Sequence, residues 1–196
     1  MKLTAHFDSN EFTCKCGCGK NYIDRKLVEK LEELHVAMKA HSIVITSGYR
    51  CPKHSVAVGG SSTDAHTVGI AADCIVYKEK NVPYDVEDVA EVAERLGFTG
   101  IGLMYGNAIH LDIRNSSNYK NAHWYGDDRT GNNFIKTFQR ENVSHDGYKP
   151  AEKEYGERKA NVGSYYGKYA TKLYNETIDI TIEINGKRYR GKVEKI

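Results

Sequence analysis

The segment DAHTVGIAAD at residues 64–73 and the segment IHLDIR at residues 109–114 carry the strongest functional signal in this chain. Together they offer two imidazoles and a carboxylate, from His66, Asp73 and His110. This is the three-ligand set expected of a catalytic zinc ion, with a fourth position left for water. Small residues between His66 and Asp73 keep the backbone slim enough to fold close to an ion. The segments therefore predict a Zn2+ site, although two satisfied histidines and a salt-bridged aspartate would use the same residue types.

Helix and strand signals alternate around these segments. Apolar residues at helical spacing predict a helix from its N-cap Asp24 to about residue 40, and another from its N-cap Asp85 to about residue 96 with Gly97 just beyond its end. A Gly/Ser-rich loop is predicted for residues 51–63. Strands are predicted at residues 43–46, 71–77, 100–105 and 109–113, with a turn at Gly106-Asn107. Helices mixed with antiparallel strands give the α+β class.

The composition changes near Asn142, beyond which the chain is polar and lacks an apolar period. Apolar and polar residues alternate strictly along residues 178–184, and Asn185-Gly186 is typical of a type I′ turn. Residues 187–193 would form the second strand, so this segment predicts a β-hairpin. A lone hairpin is marginal in water, so it must dock on the main body, a partner chain or a ligand. The predicted organisation is a main domain at 1–142, a linker at 143–167 and a small hairpin extension at 168–196.

Several motifs occur in an order that resembles a known family. The pieces are Ser47-Gly48-Tyr49-Arg50-Cys51-Pro52, Gly59-Gly60, His66-x-x-Gly69-x-Ala71-x-Asp73 and His110-x-Asp112-x-Arg114, with Phe12-Thr13-Cys14 before them and His123-Trp124 after them. Over roughly residues 5–125 the chain resembles the zinc D-Ala-D-Ala carboxypeptidases, a family that includes phage endolysin peptidases and shares its fold with the hedgehog signalling domain. The resemblance implies an antiparallel sheet with flanking helices. It also implies zinc at His66, Asp73 and His110.

The resemblance further implies that Arg50 binds a substrate carboxylate, because a guanidinium pairs with a carboxylate through two parallel hydrogen bonds. A structural ion pair is the alternative for Arg50. Tyr105 is a candidate for stabilising the oxyanion. His123 either lines the cleft or packs at the end of the domain.

The proton acceptor of such a peptidase is harder to assign, because relatives carry an acid or a histidine shortly before the last histidine ligand. Here residues 104–109 read MYGNAI and contain neither. Asp112 lies two residues beyond His110 and therefore leaves a strand on the same face, where it would either transfer protons or orient a ligand. Asp64 is the second candidate, with loop capping as its alternative role.

Five cysteines form the remaining chemical cluster. An odd number argues against a complete disulfide framework. Cys14, Cys16 and Cys18, with Cys51 as a candidate fourth ligand, offer thiolates for a structural metal, but they lack the paired C-x2-C spacing typical of zinc sites. The alternative is a set of reduced thiols without a metal, or an occasional disulfide.

Composition limits the functional classes. The net charge of +2 is too small to indicate nucleic-acid binding, and no apolar run approaches the roughly 18 residues of a membrane span. The first residues contain no apolar core of a secretory signal, so we expect cytoplasmic synthesis and action on the cell wall after release, as in a phage or prophage endolysin. Tyrosines and cations after residue 155 suit a wall polymer, and self-association is the alternative.

The functional prediction is a zinc peptidase that cleaves peptidoglycan stem peptides, either as a carboxypeptidase or as an endopeptidase. The alternative is a zinc-binding module that recognises wall peptide or a protein partner without turnover. The missing acid before His110 is the feature that keeps this alternative open.

Overall fold

The computed structural model describes residues 1–117 and 119–140 in full, together with the backbone of two strands at 177–184 and 187–194. The chain divides into two compact units, Met1–Glu141 and Asn142–Ile196, and each is described by itself. The predicted linker at 143–167 and the predicted turn at Asn185-Gly186 lie outside the described residues.

The described residues of the first unit form three α-helices, and the first and third begin close to the residues that the sequence predicts. They are α1 (Arg25–Ala37), α2 (Pro52–Ala57) and α3 (Val86–Arg95). The carboxylates of Asp24 and Asp85 accept backbone N–H bonds from the second residues of α1 and α3, at 2.8 and 2.9 Å, which confirms both predicted N-caps. Helix α2 is not among the predicted helices and occupies part of the expected loop at 51–63. Pro52 suits its first turn, where no N–H bond is lost.

The strands of the first unit form one sheet. They are β1 (Ser42–Ser47), β2 (Ala71–Glu79), β3 (Val82–Pro83), β4 (Gly100–Leu103), β5 (Ala108–Asp112) and β6 (Trp124–Asp127). Their order is β1-β2-β5-β4-β6, and β3 pairs with β2. Strands β4 and β6 are parallel, whereas the other pairs are antiparallel. The prediction of a wholly antiparallel sheet is therefore wrong at this edge, because the connection after β5 brings the chain back in the direction of β4.

One face of the sheet packs against helix α3, which in turn contacts α1. In β5, Ile109 and Leu111 are fully buried, and Leu27, Leu31 and Leu34 of α1 are fully buried as well. Each such side chain contributes about 1.5–3 kcal/mol when it leaves water. Because side chains alternate along a strand, the residues on either side of Ile109 and Leu111 in β5 emerge on the opposite face. That face carries the polar site.

The second unit contains β7 (Thr177–Ile184) and β8 (Lys187–Glu194), which pair antiparallel from Thr177 opposite Glu194 to Ile184 opposite Lys187. The hairpin that the sequence predicts here stays a prediction, since its turn is outside the described residues. Both units together are of the mixed α+β class. Among the parts of the chain that the structure describes, no helix combines the length and apolar character needed to cross a membrane.

Candidate metal centre

Three side chains converge on the polar face of the sheet. Asp73 of β2 lies directly opposite His110 of β5, and His66 approaches them from the loop before β2. His66 Nε2 lies 3.2 Å from His110 Nδ1 and 3.2 Å from Asp73 Oδ1, and His110 Nδ1 lies 2.9 Å from the same oxygen. A tetrahedral zinc ion with bonds of about 2.0–2.1 Å needs ligand atoms about 3.3 Å apart. The trio His66, Asp73 and His110 therefore fits one such ion.

The hydrogen bonds behind the two histidines determine which nitrogen faces the centre. His66 Nδ1 lies 2.8 Å from the carbonyl oxygen of Gly48, which can only accept, so Nδ1 carries the proton and Nε2 keeps its lone pair. His110 has the opposite arrangement, since its Nε2 lies 3.1 Å from Asp112 Oδ2 and its Nδ1 faces the trio. Both rings are thus oriented as metal ligands usually are.

The charges of the trio are strongly coupled. Burial by itself raises the pKa of Asp73, but interactions with His110 and His66 hold that pKa well below its usual range. Burial lowers the pKa of His110, yet hydrogen bonds with Asp112 and Asp73 outweigh it and raise this pKa to about 9. Asp73 is therefore ionised at neutral pH, and without a metal His110 is protonated. A metal ion that binds His110 must displace this proton.

Arg50 projects into the same site from the connection between β1 and α2. Its NH2 group lies 2.6 Å from Asp73 Oδ2 and 2.8 Å from His66 Nε2, and its Nε donates to Ser47 Oγ at 2.9 Å. The side chain is largely buried. A cation beside the trio is thus built into the site. Its ion pair with Asp73 is the structural alternative considered for Arg50, and the substrate-binding role stays a prediction.

Asp112, a predicted catalytic residue, has no exposed surface. Besides its contact with His110, it accepts hydrogen bonds from the backbone N–H of Arg114 at 2.9 Å and from Arg114 Nε at 2.8 and 3.0 Å. Burial raises the pKa of Asp112, but bonds with His110 and Arg114 hold it far below its usual range. Of the two roles considered for Asp112, orientation of His110 agrees with these contacts. They do not favour proton transfer, because both carboxylate oxygens already have hydrogen-bond partners.

Asp64, the second predicted catalytic residue, holds the loop that precedes His66. One of its oxygens accepts from the Ser55 hydroxyl, and the other accepts from the backbone N–H of Thr67 at 3.1 Å. The Thr67 hydroxyl also donates to the Asp64 carbonyl at 2.8 Å. These contacts agree with the loop-capping alternative and give no support to a catalytic role.

The structure does not bring Tyr105 and His123 to the trio. Tyr105 is 73% exposed, and its hydroxyl donates to the carbonyl of Arg129 at 3.4 Å. The ring of His123 lies 4.0 Å from the ring of Tyr125, and its side chain is exposed. Their contacts with substrate stay predictions. The contact of His123 with Tyr125 agrees with its alternative role of packing at the end of the domain, and the residue between them is the one that turns toward the site.

That residue is Trp124, which the sequence does not single out as part of the site. Its ring lies 6.1 Å from the His110 ring, edge to face, and the Arg114 guanidinium sits 5.3 Å from its centroid. Glycines on β4 make room for this arrangement. A Cβ on Gly102 would lie 3.0 Å from the indole, and a Cβ on Gly100 would overlap the Asp112 carboxylate. In the sequence, the Gly-x-Gly spacing of β4 is the signal for this packing of Trp124. It can be interpreted only when the pairing of the strands is known.

Comparison with known proteins points to one family. Residues 5–112, more than half of the chain, match the family model described as Peptidase M15. A search of curated proteins finds no significant match to this chain. The matched region includes the whole trio and Arg50, and it ends at Asp112.

Proposed function

Since the chain belongs to the Peptidase M15 family of metal-dependent peptidases, we propose that it is a zinc peptidase that cleaves peptidoglycan stem peptides. The observation that carries this proposal is the triangle of ligand atoms from His66, Asp73 and His110, whose sides of 2.9–3.2 Å suit a single zinc ion. Two imidazoles and one carboxylate are the donor set of a catalytic rather than a closed site.

The residues around the trio support hydrolysis in defined ways. His66, Asp73 and His110 would hold a zinc ion, which when bound would activate a water molecule and polarise a peptide carbonyl. The Gly48 carbonyl and the Asp112 carboxylate fix the two imidazoles in the tautomers that ligation needs. Asp112 in turn is held by Arg114, which stacks against Trp124. Asp112 therefore acts as a positioning residue in this proposal.

Arg50 indicates the kind of substrate. Its guanidinium lies within 2.8 Å of a ligand nitrogen, so a carboxylate that binds it sits close to the reacting carbonyl. A terminal carboxylate one residue from the scissile bond meets this condition. The proximity favours the carboxypeptidase over the endopeptidase within the proposed function, with a D-Ala-D-Ala terminus as the substrate.

A binding module without turnover is the second candidate, and one observation favours it. Neither Asp112 nor Asp64 has a carboxylate oxygen without a hydrogen-bond donor, and residues 104–109 contain no acid. A protein that binds zinc and wall peptide through Arg50, but lacks a proton acceptor, would not turn over.

The remaining parts of the proposal concern cellular context. We propose that the protein is made in the cytoplasm and acts on the cell wall after release, as an endolysin does. The tyrosine- and lysine-rich C-terminal part is proposed to bind wall polymer or a second copy of the chain, since aromatic faces stack on sugars and cations pair with phosphates.

Product analysis separates these candidates. The zinc-loaded protein is incubated with purified peptidoglycan, and the released products are identified by mass spectrometry. Free D-Ala indicates a carboxypeptidase, and a new amino terminus within the stem peptide indicates an endopeptidase. His66→Ala should abolish either product, whereas His41→Ala, which changes an exposed histidine, should retain it. Stoichiometric zinc without any product would reject the peptidase and leave the binding module.

A further inference from the structure

A second cluster of metal-ligating side chains lies outside the site described above. It consists of Cys14, Cys16 and Cys18 from the loop before α1 and Cys51 from the N-cap position of α2, and is called the sulfur cluster here. All four Sγ atoms lie within 4.8 Å of one another. Cys14 and Cys51 are buried, whereas Cys16 and Cys18 are exposed. Residues far apart in sequence are thus brought together by the fold itself.

The sulfur separations suit a metal better than a disulfide. Cys14 Sγ lies 3.4 Å from Cys16 Sγ, and Cys16 Sγ lies 3.7 Å from Cys51 Sγ. In a tetrahedral site with Zn–S bonds of about 2.3 Å, the sulfurs are about 3.8 Å apart. A disulfide requires a sulfur–sulfur distance of about 2.05 Å and joins only two sulfurs. Four sulfurs grouped at these separations are placed as ligands of a single ion.

The backbone around the sulfur cluster forms a closed loop with two left-handed glycines. The loop closes through a hydrogen bond from the Cys14 N–H to the Lys20 carbonyl at 2.9 Å. Gly17 and Gly19 adopt positive φ angles of 82° and 68°, which lets three alternate cysteines turn toward one point. These left-handed residues replace the paired C-x2-C knuckles that the sequence lacks.

Hydrogen bonds also reach the sulfurs. The Cys51 backbone N–H donates to Cys14 Sγ at 3.3 Å, and His54 Nδ1 lies 3.3 Å from the same sulfur. Donors of this kind stabilise the thiolate form that a metal binds.

We propose that Cys14, Cys16, Cys18 and Cys51 bind a second zinc ion, which is structural. Four thiolates fill a tetrahedral shell and leave no position for water, unlike the trio of His66, Asp73 and His110. Soft sulfur ligands select zinc over magnesium or calcium. His54 donates to the Cys14 thiolate from outside the shell.

The location of this ion gives it a role in the fold. It joins the loop at residues 14–18 to the connection between β1 and α2, which is also linked to the preceding residues by the Tyr49 N–H bond to the Phe12 carbonyl at 2.9 Å. Cys51 directly follows Arg50, so the ion fixes the backbone that presents this guanidinium to the trio. That consequence rests on the proposed function, whereas the metal site does not.

Metal content tests the site independently of peptidase activity. The full chain, expressed with zinc and dialysed, should contain two zinc ions per chain. His66→Ala should contain one, and the double variant Cys16→Ser/Cys18→Ser should also contain one. The two exposed cysteines are chosen because their replacement disturbs no buried side chain. Cys74→Ala is the matched control and should keep two, because Cys74 lies in β2 and outside the sulfur cluster.

Cobalt substitution identifies the ligands. Cobalt in the unaltered chain and in His66→Ala should show thiolate-to-cobalt charge-transfer absorption, which Cys16→Ser/Cys18→Ser should lose. His54→Ala should keep the band but bind the metal about 10- to 100-fold more weakly. The proposal is overturned if His66→Ala contains no zinc, if iron occupies the site, or if the intact mass shows the loss of two or four hydrogens expected for disulfides.

Discussion

Replacement of Asp112 by Asn separates the two roles that its position allows. The substitution keeps the volume and one acceptor but removes the charge that faces His110 Nε2 at 3.1 Å and Arg114 Nε at 2.8 Å. If Asp112 positions His110, the variant loses zinc affinity. If Asp112 instead transfers protons, zinc binds normally and only kcat falls.

The loss of zinc affinity expected for Asp112→Asn depends on pH, because the pKa of His110 depends on its neighbours. Without metal, the pKa of His110 is about 9, so at pH 7 the proton competes with zinc and lowers its affinity by about two decades. This competition is lost as the pH rises through that pKa. In Asp112→Asn the loss of the carboxylate lowers the pKa of His110, which relieves competition at pH 7. Poorer orientation of the ring costs about 10- to 100-fold in affinity at every pH.

We therefore expect Asp112→Asn to bind zinc about 10- to 100-fold more weakly at pH 9, with a smaller deficit at pH 7. Zinc affinity is measured by competition with a chromophoric chelator, and the same titration of His66→Ala gives the zinc bound elsewhere. Asp24→Asn is the control, because Asp24 caps α1 away from the trio, asparagine caps a helix as well, and zinc affinity should stay unchanged. Unchanged affinity of Asp112→Asn at both pH values, with kcat reduced by orders of magnitude, would refute the positioning role.

Three further outcomes are expected. Arg50→Lys should raise KM roughly 10- to 150-fold, corresponding to about 1.5–3 kcal/mol for a hydrogen bond between charged groups, and should leave kcat nearly unchanged. With an amide-capped substrate, which lacks the carboxylate, Arg50→Lys and the unaltered chain should have the same KM in steady-state kinetics. Gly69→Ala should lower Tm by several degrees more than Gly17→Ala, since both glycines have positive φ but only at Gly69 would a Cβ overlap the Tyr22 carbonyl. The unaltered chain and Glu32→Gln should differ in their free energy of unfolding at neutral pH, and this difference should shrink in acid. Denaturant titrations at both pH values measure it. Burial raises the pKa of Glu32, but hydrogen bonds from His6 outweigh it and hold this pKa below its usual range, so the contribution is lost as the pH falls through the lowered pKa.

Local signals in the sequence are sufficient for the helix starts and for the residue types of the site. Asp24 and Asp85 cap their helices as expected because a cap depends on a carboxylate and N–H groups only two residues away. The trio is predictable from the kind of residue and its order, together with a family resemblance. The three side chains are close in space because Asp73 lies opposite His110. This register between two strands is not specified by periodicity in the sequence.

Non-local geometry accounts for what the sequence does not show. The parallel pairing of β6 with β4 is determined by the path of the connection after β5, which carries no strong pattern of its own. That pairing decides that Trp124 faces His110 while His123 turns to Tyr125. The irregular spacing of the cysteines argues against a metal site in the sequence alone, and only the left-handed Gly17 and Gly19 show how such spacing still brings the sulfurs together.

Metal binding and turnover depend on different residues in this site. The ligand atoms are oriented by a main-chain carbonyl at Gly48 and by the Asp112 carboxylate, neither of which needs to change during a reaction. The acids near the trio are already engaged, since Asp73 completes the trio, Asp112 holds His110 and Asp64 holds its loop. A substitution that removes turnover while zinc stays bound must therefore act on substrate or on proton movement. Zinc content and product release measured on the same variants consequently distinguish a peptidase from a module that only binds wall peptide.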